Sequence, residues 1–304
     1  MAHPIRFVKN LVYHNYIYHV AKPVDLHALA KSDWGAVTGC THGIGRAYAE
    51  EMAKKNFNVL LIGRTPIKLE KTRSELAAKY PKVKFEVAEI DFCTPSEVEY
   101  EKKLKGPLEK VGFLVNNVGH VAPYPDKILD IPNGMRDAST TVLVNAHSMA
   151  MMCHLAVGHM VKRNGGIIVN VSSSAGELPF PMWTLYSATK KFTTHYTKSL
   201  RREYPQIFFQ NLIPGWVQTE MSRLRQRAWN VATTDEYAAS AINTVGLAEE
   251  TRGNWRCQLH FDLFLDLFPE FMVQKAWAQA MEAKKQENIL YDQEKAQGIR
   301  QPTK

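Results

Sequence analysis

Hydrophobic positions along this chain follow two alternating rhythms. One consists of short, almost uninterrupted apolar runs: residues 34 to 38, Val59-Leu60-Leu61-Ile62, Lys84 to Ile90, Phe113-Leu114-Val115, Ile167 to Val171 and Ile207 to Leu212. Runs of this length with no in-out alternation predict strands covered on both faces, as in a parallel sheet. The other rhythm is helical. Ala47, Ala49, Met52 and Ala53 recur at three- and four-residue intervals up to Asn56, and helices are expected over 66–79, 95–109, 136–163 and 184–204. Strands alternating with helices predict an α/β chain with a doubly wound parallel sheet.

Nothing inside 34–258 reads as a linker, so that stretch is expected to form one domain after a lead-in of residues 1–33. Residues 259–304 differ. Leu259 to Phe268 is rich in large apolar side chains, interrupted by Asp262 and Asp266, with Glu270 four residues further on. On a helix these acids form one narrow polar stripe, and Pro269 breaks or kinks it. This C-terminal apolar helical extension could pack on the core, cap an apolar pocket, meet a second subunit or touch a membrane. Beyond residue 282 the chain turns polar, and 295–304 is expected to be disordered.

Composition narrows the class. Of 304 residues, 45% are hydrophobic and 22% charged, enough apolar material for a large core and too much for wholesale disorder. The net charge of +8 comes partly from short clusters such as Lys54-Lys55, Lys102-Lys103-Lys105, Arg201-Arg202, Arg223-Arg225-Arg227 and Lys284-Lys285. They read as a solvated basic surface or as attraction for dinucleotide phosphate, acyl-CoA or acidic headgroups. No nucleic-acid-binding signature accompanies them, so no nucleic-acid partner is expected. Cys40, Cys93, Cys153 and Cys257 lack metal-ligand spacing, as do the histidines; reduced thiols in an intracellular compartment and no metal are expected. No run of 18 apolar residues is present to cross a membrane. Met1 to Lys22 carries Arg6, Lys9 and Lys22, with no acid before Asp25. It fits a mitochondrial-type targeting stretch or a basic helix lying on a membrane or on the protein itself.

Three groups of residues carry chemistry. The first is the turn Thr38-Gly39-Cys40-Thr41-His42-Gly43-Ile44-Gly45, between a predicted strand and a predicted helix. Gly39 permits the tight turn, Gly43 lets backbone approach a pyrophosphate and Gly45 lets helix pack on sheet, while Thr41, His42 and Ile44 complete the cradle at the helix N-terminus. The second group lies at the next two strand ends. Gly63-Arg64 stands where an acid would select NAD, so a guanidinium for a 2′-phosphate points to NADP(H). Asp91 could accept from an adenine amino group or simply close a turn. The third group is Tyr186 and Lys190, one helical turn apart, with Ser173 thirteen residues before the tyrosine. Ser173 and Tyr186 would bind a substrate carbonyl; Tyr186 would protonate its oxygen, and the Lys190 ammonium would lower the phenol pKa from near 10. Asn145, on the long preceding helix, could hold a water between Lys190 and solvent.

With these motifs over 34–225, the chain resembles the short-chain dehydrogenase/reductase family, whose Rossmann fold is then expected. The likeness includes Asn116-Asn117-Val118-Gly119, Asn145, the Ser173, Tyr186 and Lys190 set, and Pro214, Gly215 and Thr219. It implies that Asn117 frames the cofactor site and that Val217 and Thr219 lie at the nicotinamide carboxamide and phosphates. Tyr48-Ala49-Glu50-Glu51, Tyr124-Pro125 and Thr244-Val245-Gly246-Leu247 further resemble the branch of 17β-hydroxysteroid dehydrogenases types 3 and 12, very-long-chain 3-oxoacyl-CoA reductases and hydroxysteroid dehydrogenase-like proteins. That branch implies an NADP(H)-linked oxidoreductase of steroid or fatty-acyl ketones, in lipid metabolism, and a homodimer. Its catalytically silent members imply an alternative, an NADP-binding protein with a regulatory or scaffolding role, toward which the unusual His120 also points. The lead-in is shorter and more polar than the membrane segment of several members, and the C-terminus carries no basic retrieval tail. Endoplasmic reticulum and mitochondrion both stay open as compartments.

Overall fold

The computed structural model describes residues 4–131, 133–224 and 228–297. Two helices come first, α1 (Pro4–His19) and α2 (Leu26–Ala30), followed by β1 (Trp34–Thr38), α3 (Gly43–Lys54), β2 (Asn58–Gly63), α4 (Pro66–Lys79), β3 (Phe85–Glu89), α5 (Glu97–Leu108) and β4 (Phe113–Asn116). The second half contains α6 (Gly134–Val142), a π-helical turn (Leu143–His147), α7 (Ser148–Lys162), β5 (Ile167–Val171), a 3₁₀ turn (Ser174–Gly176), α8 (Thr184–Glu203) and β6 (Phe208–Leu212). Short elements β7 (Val217–Gln218), β8 (Ala232–Thr233), α9 (Thr234–Ile242) and β9 (Glu250–Thr251) lead to α10 (Trp255–Leu267) and α11 (Glu270–Ala296).

Seven strands form one parallel sheet in the order β3-β2-β1-β4-β5-β6-β9. The order reverses between β1 and β4, creating the crevice at the carboxyl ends of the strands where open α/β sheets bind ligands. Strand side chains alternate between two cores. Val37, Val59, Leu61, Phe113, Val115, Ile167 and Val169 pack toward α3, α4 and α9. Ala36, Leu60, Ile62, Leu114 and Ile168 pack toward α5, α7 and α8. Both faces are dry, which is why the strands read as continuous apolar runs.

Among the described residues, one helical run, Gly134–Lys162, is long and apolar enough to cross a membrane by composition. Its most apolar window is 56% buried inside the protein, where it forms the layer beneath β4 and β5. The single helix expected over 136–163 is interrupted by the π turn at Leu143–His147.

The C-terminal extension begins earlier than its apolar run: α10 starts at Trp255 and runs across residues 258 and 259. Asn254 caps it by accepting from Arg256 N–H. The expected break falls at Phe268-Pro269, and α11 then continues to Ala296, through the polar stretch and into the segment expected to be disordered. Residues 298–304 lie outside the described residues. The polar stripe on α10 faces inward: Asp262 and Asp266 are 7% and 4% exposed. They receive a ladder from α1. Arg6 Nε and Asn10 Nδ2 bind Asp266, His14 Nδ1 lies 2.9 Å from Asp262, and Tyr18 pairs with Thr251.

Candidate functional site

The glycine turn closes β1 and opens α3. Gly39 and Gly43 have φ of +66° and +62°, values that a Cβ strains. At Gly45, a Cβ would stand 2.3 Å from Asn117 Nδ2 and 2.4 Å from the Gly39 carbonyl. His42 precedes α3 without a side-chain cap, so the first-turn N–H groups of Gly43, Ile44 and Gly45 are presented outward with the helix dipole. A phosphate group fits this end. Thr219 faces the turn from β7, its methyl 3.7 Å from where a Gly43 Cβ would lie, and it exchanges hydrogen bonds with Ser222. Val217 is buried at the start of the same strand.

Asn117 staples the turn to the end of β4. Its amide donates to the carbonyls of Thr38 (3.0 Å) and Gly39 (3.3 Å), while Thr38 Oγ1 accepts from the N–H groups of Asn117 and Val118. Arg64, exposed at the end of β2, makes no ion pair among the described residues, and its charge helps depress the pKa of His120. Asp91 accepts from Cys93 N–H in the turn after β3, the strand-closing role. Thr41, half-buried, completes the loop before His42.

On α8, Tyr186 and Lys190 lie on one face, with Lys190 Nζ 5.6 Å from the phenol ring centroid. Lys190 is 4% exposed, and its ammonium donates to the Val171 carbonyl at 2.9 Å. Gly176 keeps the 3₁₀ turn against this helix, since a Cβ there would stand 2.8 Å from the Lys190 carbonyl carbon. The hydroxyl run separates into roles. Ser172 is buried and donates to the Lys190 carbonyl, whereas Ser173 is half-buried and shares a hydrogen bond with the Tyr186 hydroxyl.

The electrostatics differ from the sequence expectation in one respect. Burial raises the Tyr186 pKa, and the Ser173 hydrogen bond opposes that only in part; the Lys190 charge does not bring the phenol down. Lys190 itself is pulled to about 8 by burial, because its ammonium faces a carbonyl and a ring rather than water. The phenol is therefore held neutral at pH 7, as a proton donor requires.

Asn145 is anchored on two sides. Within the π turn, its side-chain oxygen accepts from His120 N–H (2.7 Å). Its amide donates to the His120 carbonyl (2.8 Å) and to Thr189 (3.1 Å). These bonds fix the segment that follows β4. The His120 imidazole is kept neutral, chiefly by burial.

An aromatic wall rises beside the phenol. Trp183 lies 6.0 Å from Tyr186, Phe180 6.0 Å from Trp183, and Trp277 of α11 4.7 Å from Phe180. Met281 and Trp216 complete the cluster. Ile128, Ile131, Ala138 and Met182 line a shallow cleft that reaches Trp183 and Tyr186. Helix α11 straps across this mouth: Lys285 pairs with Asp126, Asn288 donates to the Pro123 carbonyl, and Arg223 pairs with Asp292. Trp277 and Met281 were not singled out from sequence, since nothing local says that a tail helix returns to the site. Among the described residues, no three His, Cys, Asp or Glu side chains converge.

Comparison with known proteins agrees with this architecture. The profile of the short chain dehydrogenase family matches residues 34–229. A very-long-chain 3-oxoacyl-CoA reductase of Caenorhabditis elegans is 37% identical over 262 residues, 85% of this chain and 82% of that protein. The Homo sapiens very-long-chain 3-oxoacyl-CoA reductase is 38% identical over 224 residues, 73% of this chain and 71% of that protein. A Caenorhabditis elegans relative with a provisional steroid dehydrogenase name is 36% identical over 277 residues, 90% of this chain and 87% of that protein. Among solved structures, a 7β-hydroxysteroid dehydrogenase superposes with a TM-score of 0.73 at 21% identity, over 84% of this chain and all of that one. A Sphingobium yanoikuyae short-chain dehydrogenase in complex with NADPH gives 0.61 at 22%, over 69% of this chain and 82% of that one. The chain belongs to the short-chain dehydrogenase/reductase family of oxidoreductases, in the branch that holds the very-long-chain 3-oxoacyl-CoA reductases.

Proposed function

We propose that this protein is an NADP(H)-dependent reductase of ketones on long apolar lipids, a 3-oxoacyl-CoA or a steroid. The observation that carries the reading is the neutral Tyr186 phenol, hydrogen-bonded to Ser173 above buried Lys190, at the foot of an aromatic wall. NADPH is favoured by the uncapped α3 N-terminus, which suits a pyrophosphate, and by exposed Arg64, which suits a 2′-phosphate. Its presence in the complex of a structural relative agrees. The bound nicotinamide supplies the hydride.

The chain's own residues do the rest. Ser173 and Tyr186 donate hydrogen bonds to the ketone oxygen and stabilise its growing negative charge, and the Tyr186 hydroxyl hydrogen completes the alcohol. The Lys190 ammonium favours the phenolate left behind. Asn145 acts as a positioning residue by holding His120 and Thr189 on either side of this set. The lipid body lies along Trp183, Phe180 and Trp277, and α11 shuts out water behind it. The names of the relatives support a ketone on an acyl-CoA or a steroid. Following NADPH absorbance with a panel of 3-oxoacyl-CoA thioesters and keto-steroids tests the proposal. Consumption is expected with long-chain members; NADPH binding without turnover of any of them would instead support the catalytically silent reading.

A further inference from the structure

Helix α1 is amphipathic in the reverse sense for a helix packed on a protein. Its polar residues Arg6, Asn10, His14 and Tyr18, spaced by four, turn inward to the α10 carboxylates and Thr251. Ile17 is buried, but most of the helix's large apolar residues turn outward: Ile5 is 86% exposed, Val8 56%, Val12 66% and Tyr16 55%, with Val20 at 65% just past its end. Inward-facing polar groups satisfy the two buried acids, and the helix is thereby held with a greasy ridge to the outside. The Arg6 bond to the Leu265 carbonyl sets the start of this ridge beside the α10–α11 break, where Phe268, Phe271 and Met272 are also exposed.

We propose that this ridge is a membrane-docking surface that seats the protein on an anionic lipid bilayer, with α1 lying in the plane of the interface. Charge decides the occupant. Lys9 is exposed within the ridge and Lys22 just beyond it, and no acid precedes Asp25. Basic residues beside an apolar helical face match acidic headgroups over an acyl layer. Tyr13 and Tyr16, both exposed, have the amphipathic rings that favour the headgroup level. A second copy fits less well. A two-fold contact along α1 would set the same basic surface against itself, since α1 carries no carboxylate to answer it.

The inference is independent of the reductase reading, and its test reads lipid binding alone. The full chain is sedimented with vesicles of phosphatidylcholine and with vesicles that also contain phosphatidylserine, at low and high salt. Binding to the anionic vesicles is expected, weakened by salt. The double variant Val8→Asp/Val12→Asp should lower partitioning at least about tenfold. Lys9→Gln should lower it about fivefold on anionic vesicles only. Both variants should melt at the wild-type temperature, because the substituted side chains are exposed. Wild-type protein that stays in the supernatant with every vesicle overturns the proposal, whatever the variants do. So does sedimentation velocity in which the double variant dissociates a wild-type dimer while vesicle binding is unchanged.

Discussion

Lys190 should be a liability for the fold, retained for its chemistry. Its ammonium is buried, with the Val171 carbonyl as hydrogen-bond partner, and its pKa falls from 10.5 to about 8. That fall corresponds to about 3 kcal/mol of destabilisation at neutral pH. The sign follows from the direction of the shift. The unfavourable term is fully present below the folded pKa and is relieved as pH rises toward the unfolded value. Lys190→Met removes the buried charge at similar length but takes a donor from the Val171 carbonyl, a loss of about 1–3 kcal/mol. The variant should therefore be more stable than wild type by about 1 kcal/mol near neutrality. From about pH 6.5 to about pH 9.5, wild type should gain about 2 kcal/mol on the variant, since unrelated titrations cancel in the difference. Urea denaturation of both proteins across this range is the assay. A stability difference that does not move with pH would refute the reasoning.

Other consequences follow from the same geometry. Gly45→Ala should lower stability by about 2 kcal/mol or more and abolish NADPH binding, because its Cβ meets Asn117 Nδ2 and the Gly39 carbonyl; thermal melting and nucleotide fluorescence report both. Arg64→Asp should raise the KM for NADPH by about a hundredfold and leave that for NADH within a few-fold, as expected from loss of a charge-assisted 2′-phosphate contact. Trp277→Ala should raise KM for long lipid ketones about tenfold while sparing a short ketone, since it removes part of the apolar wall but not the reacting groups.

The sheet was legible because parallel strands buried on both faces announce themselves as unbroken apolar runs. Val59 to Ile62 and Ile167 to Val171 fall within the observed strands. The two-residue strands β7, β8 and β9 were not legible, since a single ladder step leaves no periodicity. Tyr186 and Lys190 were placed together correctly by helical spacing, and Ser173 was distinguished from buried Ser172. Their pKa directions were harder. Sequence shows an ammonium near a phenol but not how dry the site is, and here burial outweighs the neighbouring charge. Asn145 was found by motif, but its bonds to His120 depend on a π turn that no local pattern signals. Asp262 and Asp266 form the expected stripe on α10, while Glu270, its expected third member, opens α11 and is exposed; the partners of the two aspartates lie some 250 residues away on α1.

The central claim is that the Tyr186 hydroxyl delivers the proton that completes ketone reduction. Tyr186→Phe keeps the ring in its contact with Trp183 and removes only the hydroxyl. Single-turnover NADPH oxidation with a long-chain ketone, at saturating nucleotide, measures the chemical step directly. The account predicts a fall of about a hundredfold or more in that rate, with the NADPH dissociation constant little changed. An unchanged rate in the variant would contradict it.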